Sequence, residues 1–72
     1  MSARYITLKL DYAAKCWTAT MYADTDGTPD PEVMAAFGDC TIPTPFTLQS
    51  SSRTVRESIQ ARNPDALVEV LS

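Results

Sequence analysis

Residues 5–22 read YITLKLDYAAKCWTATMY, and the expected architecture follows from this stretch. Apolar and polar side chains alternate on both sides of a short break at residues 13–15. Alternation in segments rich in β-branched and aromatic residues is typical of half-buried strands. The stretch therefore predicts a β-hairpin whose core face is formed by Ile6, Leu8, Leu10, Tyr12, Trp17, Ala19 and Met21.

A turn-rich loop follows at residues 23–29, and a short helix is predicted after it. Asp30 fits the N-cap position, the proline after it fits the first helical position, and Gly38 fits a left-handed C-cap. We therefore expect a two-turn helix at 31–37 whose inward-facing residues are Val33, Met34 and Phe37. An alternative stays open, in which residues 36–42 form a third strand.

Residues 41–48 predict a strand at the edge of the sheet. Pro43 and Pro45 lie two residues apart in this segment, so the two missing N–H donors fall on the same side of the chain. A strand tolerates this loss where that side faces water or a bulge. The prolines would also protect the edge from pairing with another sheet.

The last third of the chain predicts a helix followed by a strand. The serines at 50–52 are candidate N-caps, and the Asn-Pro pair at 63–64 ends the helix near Arg62. Val55 and Ile59 form the buried stripe of this helix, and residues 66–71 predict a final, mostly buried strand.

These elements predict one domain, residues 1–72, of the α+β class: a small, mainly antiparallel sheet of about four strands with one or two helices packed on one face. No apolar run approaches ~18 residues, so we expect no membrane-spanning segment. The first residues resemble no secretory signal, and we therefore expect a cytoplasmic protein.

The residue types argue against catalysis. The chain has no histidine, so it lacks the commonest general base and the commonest zinc ligand. Residues 24–28 read DTDGT and resemble the opening motif of haloacid-dehalogenase-type phosphatases, in which the first aspartate is the nucleophile. That family needs a doubly wound sheet and further acidic residues, which 72 residues do not supply. We expect a protein that is not an enzyme and that uses no cofactor and no metal.

Cys16 and Cys40 stay open to two interpretations. Two free thiols are favoured, because a reducing compartment is expected. A disulfide remains the alternative, since it would stabilise a small domain by about 3 kcal/mol.

The charge distribution is the strongest functional signal. Residues 24–39 contain five acidic residues and no lysine or arginine, whereas the rest of the chain carries six basic and four acidic residues. A surface of one sign accelerates encounter with a partner of the opposite sign. We therefore expect a basic protein surface as the partner, contacted by Asp24, Asp26, Asp30, Glu32 and Asp39, with Tyr22 as an aromatic anchor beside them.

A small, acidic, histidine-free chain of this kind resembles the inhibitors that phages and mobile elements encode, notably the anti-CRISPR proteins. The resemblance implies a stoichiometric inhibitor that acts in the bacterial host cell and binds a Cas subunit or surveillance complex, in some cases as a DNA mimic. We expect a monomer, and the net charge of −3 argues against direct binding to nucleic acid. The predicted order of hairpin, strand, helix and strand is also similar to HicB-like antitoxin domains. That likeness implies the alternative function, a small antitoxin or regulatory domain that dimerises through its sheet.

Overall fold

The computed structural model describes residues 4–71, which contain four strands and two helices. The fold is the predicted α+β class, with a four-stranded sheet in the order β3-β2-β1-β4. In chain order the elements are β1 (Tyr5–Asp11), β2 (Cys16–Tyr22), α1 (Pro31–Phe37), β3 (Thr41–Thr47), α2 (Ser52–Arg62) and β4 (Leu67–Val70).

Two of the three strand pairings are antiparallel, as predicted. Strands β1 and β2 form the hairpin, with Tyr5 opposite Tyr22 at one end and Asp11 opposite Cys16 at the other. Strand β3 pairs with β2 in the antiparallel sense, whereas β4 pairs with β1 in parallel. Since β3 and β4 lie at opposite edges and run in the same direction, their connection must cross the sheet, and α2 is that crossover.

The core lies between the sheet and α2. From α2, Val55 and Ile59 are buried against the sheet, as the sequence predicts. The Nε1–H of Trp17 donates to the carbonyl of Ser50 at 3.1 Å, so the buried indole is hydrogen-bonded at the start of this helix. The buried apolar cluster comprises Ile6, Leu8, Trp17, Ala19, Val55, Ile59, Ala66 and Val68. Tyr12, predicted on the core face, instead lies in the hairpin turn and is 74% exposed.

Helix α1 has the predicted bounds but not the predicted burial. Asp30 is its N-cap, and Gly38 closes it in the left-handed region at φ 73°, as predicted. Of the seven residues of α1, only Val33 is buried. The prediction that Met34 and Phe37 point inward is wrong, because the last turn of the helix projects beyond the core. The alternative strand at 36–42 is also wrong, since pairing with β2 begins only at the end of that segment.

Helix α2 is capped by Ser51, whose hydroxyl accepts from the backbone N–H of Thr54 at 3.2 Å. It ends at Arg62, where the sequence predicts its end. The following strand is shorter than predicted and only half buried: Val68 faces the core, whereas Leu67 and Glu69 are exposed. The prediction of a mostly buried strand therefore fails, because no element within residues 4–71 packs on the outer face of β4.

The two edges of the sheet are obstructed in different ways. At the β3 edge Pro43 lies opposite Thr18, and a register irregularity follows between Cys16 and Thr18. The β3 edge predicted from the prolines is confirmed. At the β4 edge, Leu67 and Leu71 donate to the carbonyls of Arg4 and Leu8, so the alternate residues Val68 and Val70 direct their backbone groups outward.

Side chains from α2 occupy two of the outward carbonyls near β4. Gln60 Nε2 donates to the carbonyl of Ala66 at 2.9 Å, and Arg56 Nε donates to that of Val68 at 3.4 Å. A strand that approached this edge would have to displace both contacts before it could pair.

Cys16 and Cys40 are both free thiols at opposite ends of β2. Cys16 is the first residue of that strand, and the carbonyl of Cys40 accepts from the N–H of Met21 at 2.8 Å near its other end. At about 3.3 Å per residue, the five residues from 16 to 21 span roughly 17 Å. A disulfide needs Cα atoms within about 7 Å, so this fold does not allow the bond.

Candidate protein-binding surface

The acidic segment, defined as residues 24–39, joins β2 to β3 at the end of the sheet where β1 begins. It is anchored at its base, where Ala23 N–H donates to the carbonyl of Thr28 at 2.7 Å and Tyr22 forms an isolated bridge with Pro29. After Pro29 the chain turns into α1, and Gly38 then reverses it toward β3. The segment is therefore a structured connection between β2 and β3, with backbone hydrogen bonds at its base and a capped helix, rather than an irregular loop.

Four carboxylates of the acidic segment are exposed: Asp24, Asp26, Glu32 and Asp39. Two of them also hold the local backbone. Asp26 Oδ1 accepts from the N–H of Thr28 at 2.9 Å, and Asp39 Oδ1 accepts from the N–H of Thr41 at 2.9 Å. Each carboxylate uses one oxygen in this way, which leaves the other oxygen for an external donor.

Asp30 does not belong to this exposed group. Its side chain is 2% exposed, and Oδ1 accepts from the backbone N–H groups of Glu32 at 2.9 Å and Val33 at 3.4 Å. Oδ2 lies 3.3 Å from Arg4 Nε, an ionic contact without the alignment of a hydrogen bond. The expectation that Asp30 contacts a partner is therefore not met, because an N-cap carboxylate turned into the protein stabilises α1 instead.

Arg4 partly neutralises the acidic segment. Its guanidinium pairs with Glu32 as well as with Asp30, and the hydrogen bond to Glu32 is the main reason why the pKa of Arg4 is raised above its ordinary value. Glu32 is thus exposed but already paired. The five carboxylates of the acidic segment and the guanidinium of Arg4 together carry a net charge of −4, of which the buried Asp30 contributes −1.

Hydrogen bonding also perturbs one of the unpaired acids. The hydroxyl of Thr28 donates to Asp26, and this bond, together with the backbone N–H of Thr28, lowers the pKa of Asp26 below 3.8. Bonds to an ionised carboxylate favour the charged form. Asp26 therefore stays negative over the whole physiological range.

Tyr22, predicted as an aromatic anchor, is half-buried rather than free. Its ring stacks on that of Tyr5, with centroids 5.6 Å apart, because the hairpin register places the two residues opposite each other. The hydroxyl of Tyr5 donates to Glu69 at 2.9 Å, and this bond is the main reason why the pKa of Tyr5 is raised. The pair forms a small aromatic platform on the open face of the sheet, close to the base of the acidic segment.

Phe37 is the aromatic side chain that the sequence reasoning missed. It is 66% exposed, and Met34 beside it is 45% exposed. The two residues lie one helical turn apart and therefore share a face of α1. Full burial of an apolar side chain of this size contributes about 2 kcal/mol, so α1 forgoes considerable stabilisation by leaving Met34 and Phe37 exposed.

The open face of the sheet is the main competing surface. A shallow groove of about 490 Å³ runs over it, lined by hydroxyl groups on three adjacent strands, among them Thr7, Thr20 and Thr41. The hydroxyls of Thr20 and Thr41 bond to each other at 2.9 Å, so part of their hydrogen-bonding capacity is already used. One lysine, Lys9, and one aspartate, Asp11, line the groove, so its charge is balanced rather than concentrated.

Within residues 4–71, no three carboxylates or thiols converge as metal ligands would. Over the same residues, neither helix is long and apolar enough to cross a membrane. Comparisons with protein-family models, curated protein sequences and solved structures gave no match to this chain.

Proposed function

We propose that this protein is a non-enzymatic inhibitor that binds a basic protein surface through its acidic segment. The observation that carries the proposal is the concentration of exposed carboxylates at Asp24, Asp26, Glu32 and Asp39. Arg4 is the only basic side chain that the structure pairs with this segment within residues 4–71. The net charge of −4 that the acidic segment retains after pairing with Arg4 favours rapid, salt-sensitive encounter with a cationic partner.

The class of partner follows from the resemblance between carboxylates and the phosphates of DNA as ligands for lysine and arginine. Proteins that bind nucleic acid align lysine and arginine side chains to neutralise phosphates. Carboxylates fixed along an ordered segment engage the same cations and so compete with DNA for them. We propose a Cas subunit or a CRISPR surveillance complex as the partner, with the inhibitor acting as a monomer and as a DNA mimic.

The experiment is a competition assay. Purified surveillance complexes, each loaded with guide RNA, are titrated with fluorescent target DNA in the presence and absence of this protein. We expect the midpoint of DNA binding to rise for at least one complex, and the inhibition to weaken as salt is added. If excess protein leaves DNA binding by every complex unchanged, or if the inhibition does not respond to salt, the proposal is contradicted.

A second candidate function, a HicB-like antitoxin or regulatory domain that dimerises through its sheet, is favoured by the order of elements. The hairpin β1-β2 is followed by β3, α2 and β4, with the additional helix α1 between β2 and β3. The obstructed edges oppose it, since prolines interrupt one edge and Gln60 and Arg56 occupy carbonyls at the other. Light scattering separates the two functions: we expect a monomer, and an obligate dimer would favour the antitoxin.

A further inference from the structure

We infer that Phe37 and Met34 form the apolar anchor of the binding surface, and that they insert into an apolar pocket rimmed by lysine or arginine on the partner. The inference rests on the proposed function and adds to it the chemistry of the contact. It replaces Tyr22, whose ring is half-buried and stacked on Tyr5, as the aromatic centre of the surface.

The geometry of α1 places Met34 and Phe37 at the exposed end of its apolar face. Val33, Met34 and Phe37 recur at helical spacing and define one apolar face. Val33, in the first turn, is buried, whereas Phe37, in the last turn, is 66% exposed. The apolar face therefore begins inside the protein and continues into solvent, which holds the anchor at a fixed orientation.

Charge complementarity indicates the kind of partner surface that Met34 and Phe37 contact. Asp39 is exposed and follows Phe37 by two residues, after the reversal at Gly38. Glu32 is paired with Arg4 and lies about 140–160° around the helix from Met34 and Phe37, so Asp39 is the acidic side chain next to the pair. Interface hot spots are aromatic side chains that become fully desolvated within a polar rim. An exposed carboxylate next to the anchor, within a segment of negative charge, favours a pocket bordered by cations and disfavours one bordered by acids.

Helix α1 is also capped at both ends, as a short helix that binds a partner through an exposed face must be. Asp30 binds its first N–H groups, Arg4 holds Asp30 and Glu32, and Gly38 N–H donates to the carbonyl of Met34 at 2.8 Å. A two-turn helix is marginal on its own, so these contacts fix its conformation before binding. Preorganisation of this kind lowers the entropic cost of association.

The test uses two synthetic peptides as probes. One is an amphipathic helix of about 14 residues in which leucines occupy one face and lysines the other; in the second, every leucine is replaced by glutamine. Both carry the same charge. Binding to the isotopically labelled protein is followed by NMR, which gives the affinity and the residues affected.

We expect the leucine peptide to bind roughly tenfold more tightly than the glutamine peptide, with the largest chemical-shift changes at residues 33–39. Phe37→Ala should remove this advantage and leave the glutamine peptide's affinity unchanged. Tyr12→Ala is the matched control, because Tyr12 is an aromatic side chain of similar exposure (74%) in the hairpin turn, at the other end of β1. It should bind both peptides like the unmodified protein.

Two failures are distinguishable. If the shift changes centre on the open face of the sheet, or if Phe37→Ala and Tyr12→Ala have equal effects, the anchor is wrong while the acidic surface can still stand. If binding of both peptides is insensitive to salt, the electrostatic basis of the proposed function is wrong, whatever the effect of Phe37→Ala.

Discussion

Helix α2 buries Val55 and Ile59 against the sheet, whereas α1 buries Val33 and leaves Met34 and Phe37 in solvent. The first helix along the chain is therefore held by caps and charges, and the second by the hydrophobic effect. The contrast teaches that the two helices have different tasks. Helix α2 completes the core, and α1 is positioned so that its surface stays accessible.

The largest expected effect is the loss of unfolding free energy when a buried valine is truncated, and this loss should be larger in α2 than in α1. Val55→Ala removes a fully buried side chain from the core cluster, and we expect the free energy of unfolding to fall by about 2–3 kcal/mol. Val33→Ala, the same change outside that cluster, should cost about 1 kcal/mol. Urea denaturation followed by circular dichroism measures both. Equal losses would contradict the contrast between the helices.

The next effect compares the two N-caps. Asp30→Ala removes two backbone hydrogen bonds and the ionic contact with Arg4, so we expect a loss of about 1.5 kcal/mol in unfolding free energy. Ser51→Ala removes one backbone bond at the start of α2, and about 0.7 kcal/mol should be lost.

Asp30→Asn serves as the control in these urea titrations, because the amide oxygen still caps the helix while the charge is gone. The free energy of unfolding of Asp30→Asn should lie between that of the unmodified protein and that of Asp30→Ala. If Ser51→Ala were the more damaging change, α1 would not depend on its cap in the way the structure indicates.

The smallest effect concerns the loop that leads into α1. Thr28→Ala removes the hydroxyl that is the main cause of the lowered pKa of Asp26, so this pKa should rise toward 3.8. It should remain below that value, because the backbone N–H of Thr28 still donates. An NMR titration of the Asp26 carboxyl carbon measures the shift.

The sign of the pH dependence follows from the same bond. A folded-state pKa below the unfolded value means that the contribution of Asp26 to stability is fully present above the unfolded value near 3.8, and is lost as the pH falls through the lower, folded value. Thr28→Ala should raise the folded-state pKa of Asp26, so the pH range over which this stability is lost should become narrower, with its lower limit moved upward. A pKa of Asp26 that did not move would contradict the assigned hydrogen bond.

Local patterns were sufficient for most of the secondary structure. Alternation predicted β1 and β2, the spacing of Asp30 and Gly38 predicted both ends of α1, and the prolines predicted an edge strand at β3. Each of these signals lies within a few residues of the element it defines. Steric and capping preferences act at that range, which is why they can be read from the chain.

Burial could not be predicted in the same way, because it depends on contacts between distant residues. Asp30 was expected at the surface, but Arg4, 26 positions earlier in the chain, draws it into an ion pair. Phe37 was expected in the core from its spacing to Val33, but no neighbouring element within residues 4–71 extends far enough to cover it. Both errors fall on α1, the helix that the core does not define.

Charge counting identified the acidic segment but not the state of its members. The five acids are one group in the sequence, and the structure divides them into a buried cap, an ion-paired side chain and three further exposed carboxylates. Of the four exposed carboxylates that carry the proposed function, Asp24, Asp26 and Asp39 form no salt bridge within residues 4–71, so the proposal depends most on these three.

The most direct measurement compares two charge-matched triple variants in the DNA-competition assay. One carries Asp24→Asn, Asp26→Asn and Asp39→Asn, and the other carries Glu57→Gln, Asp65→Asn and Glu69→Gln. Each raises the net charge from −3 to 0. We predict that the first variant loses inhibition by roughly tenfold or more, while the second inhibits like the unmodified protein. Equal inhibition by the two variants would contradict the assignment of binding to the acidic segment.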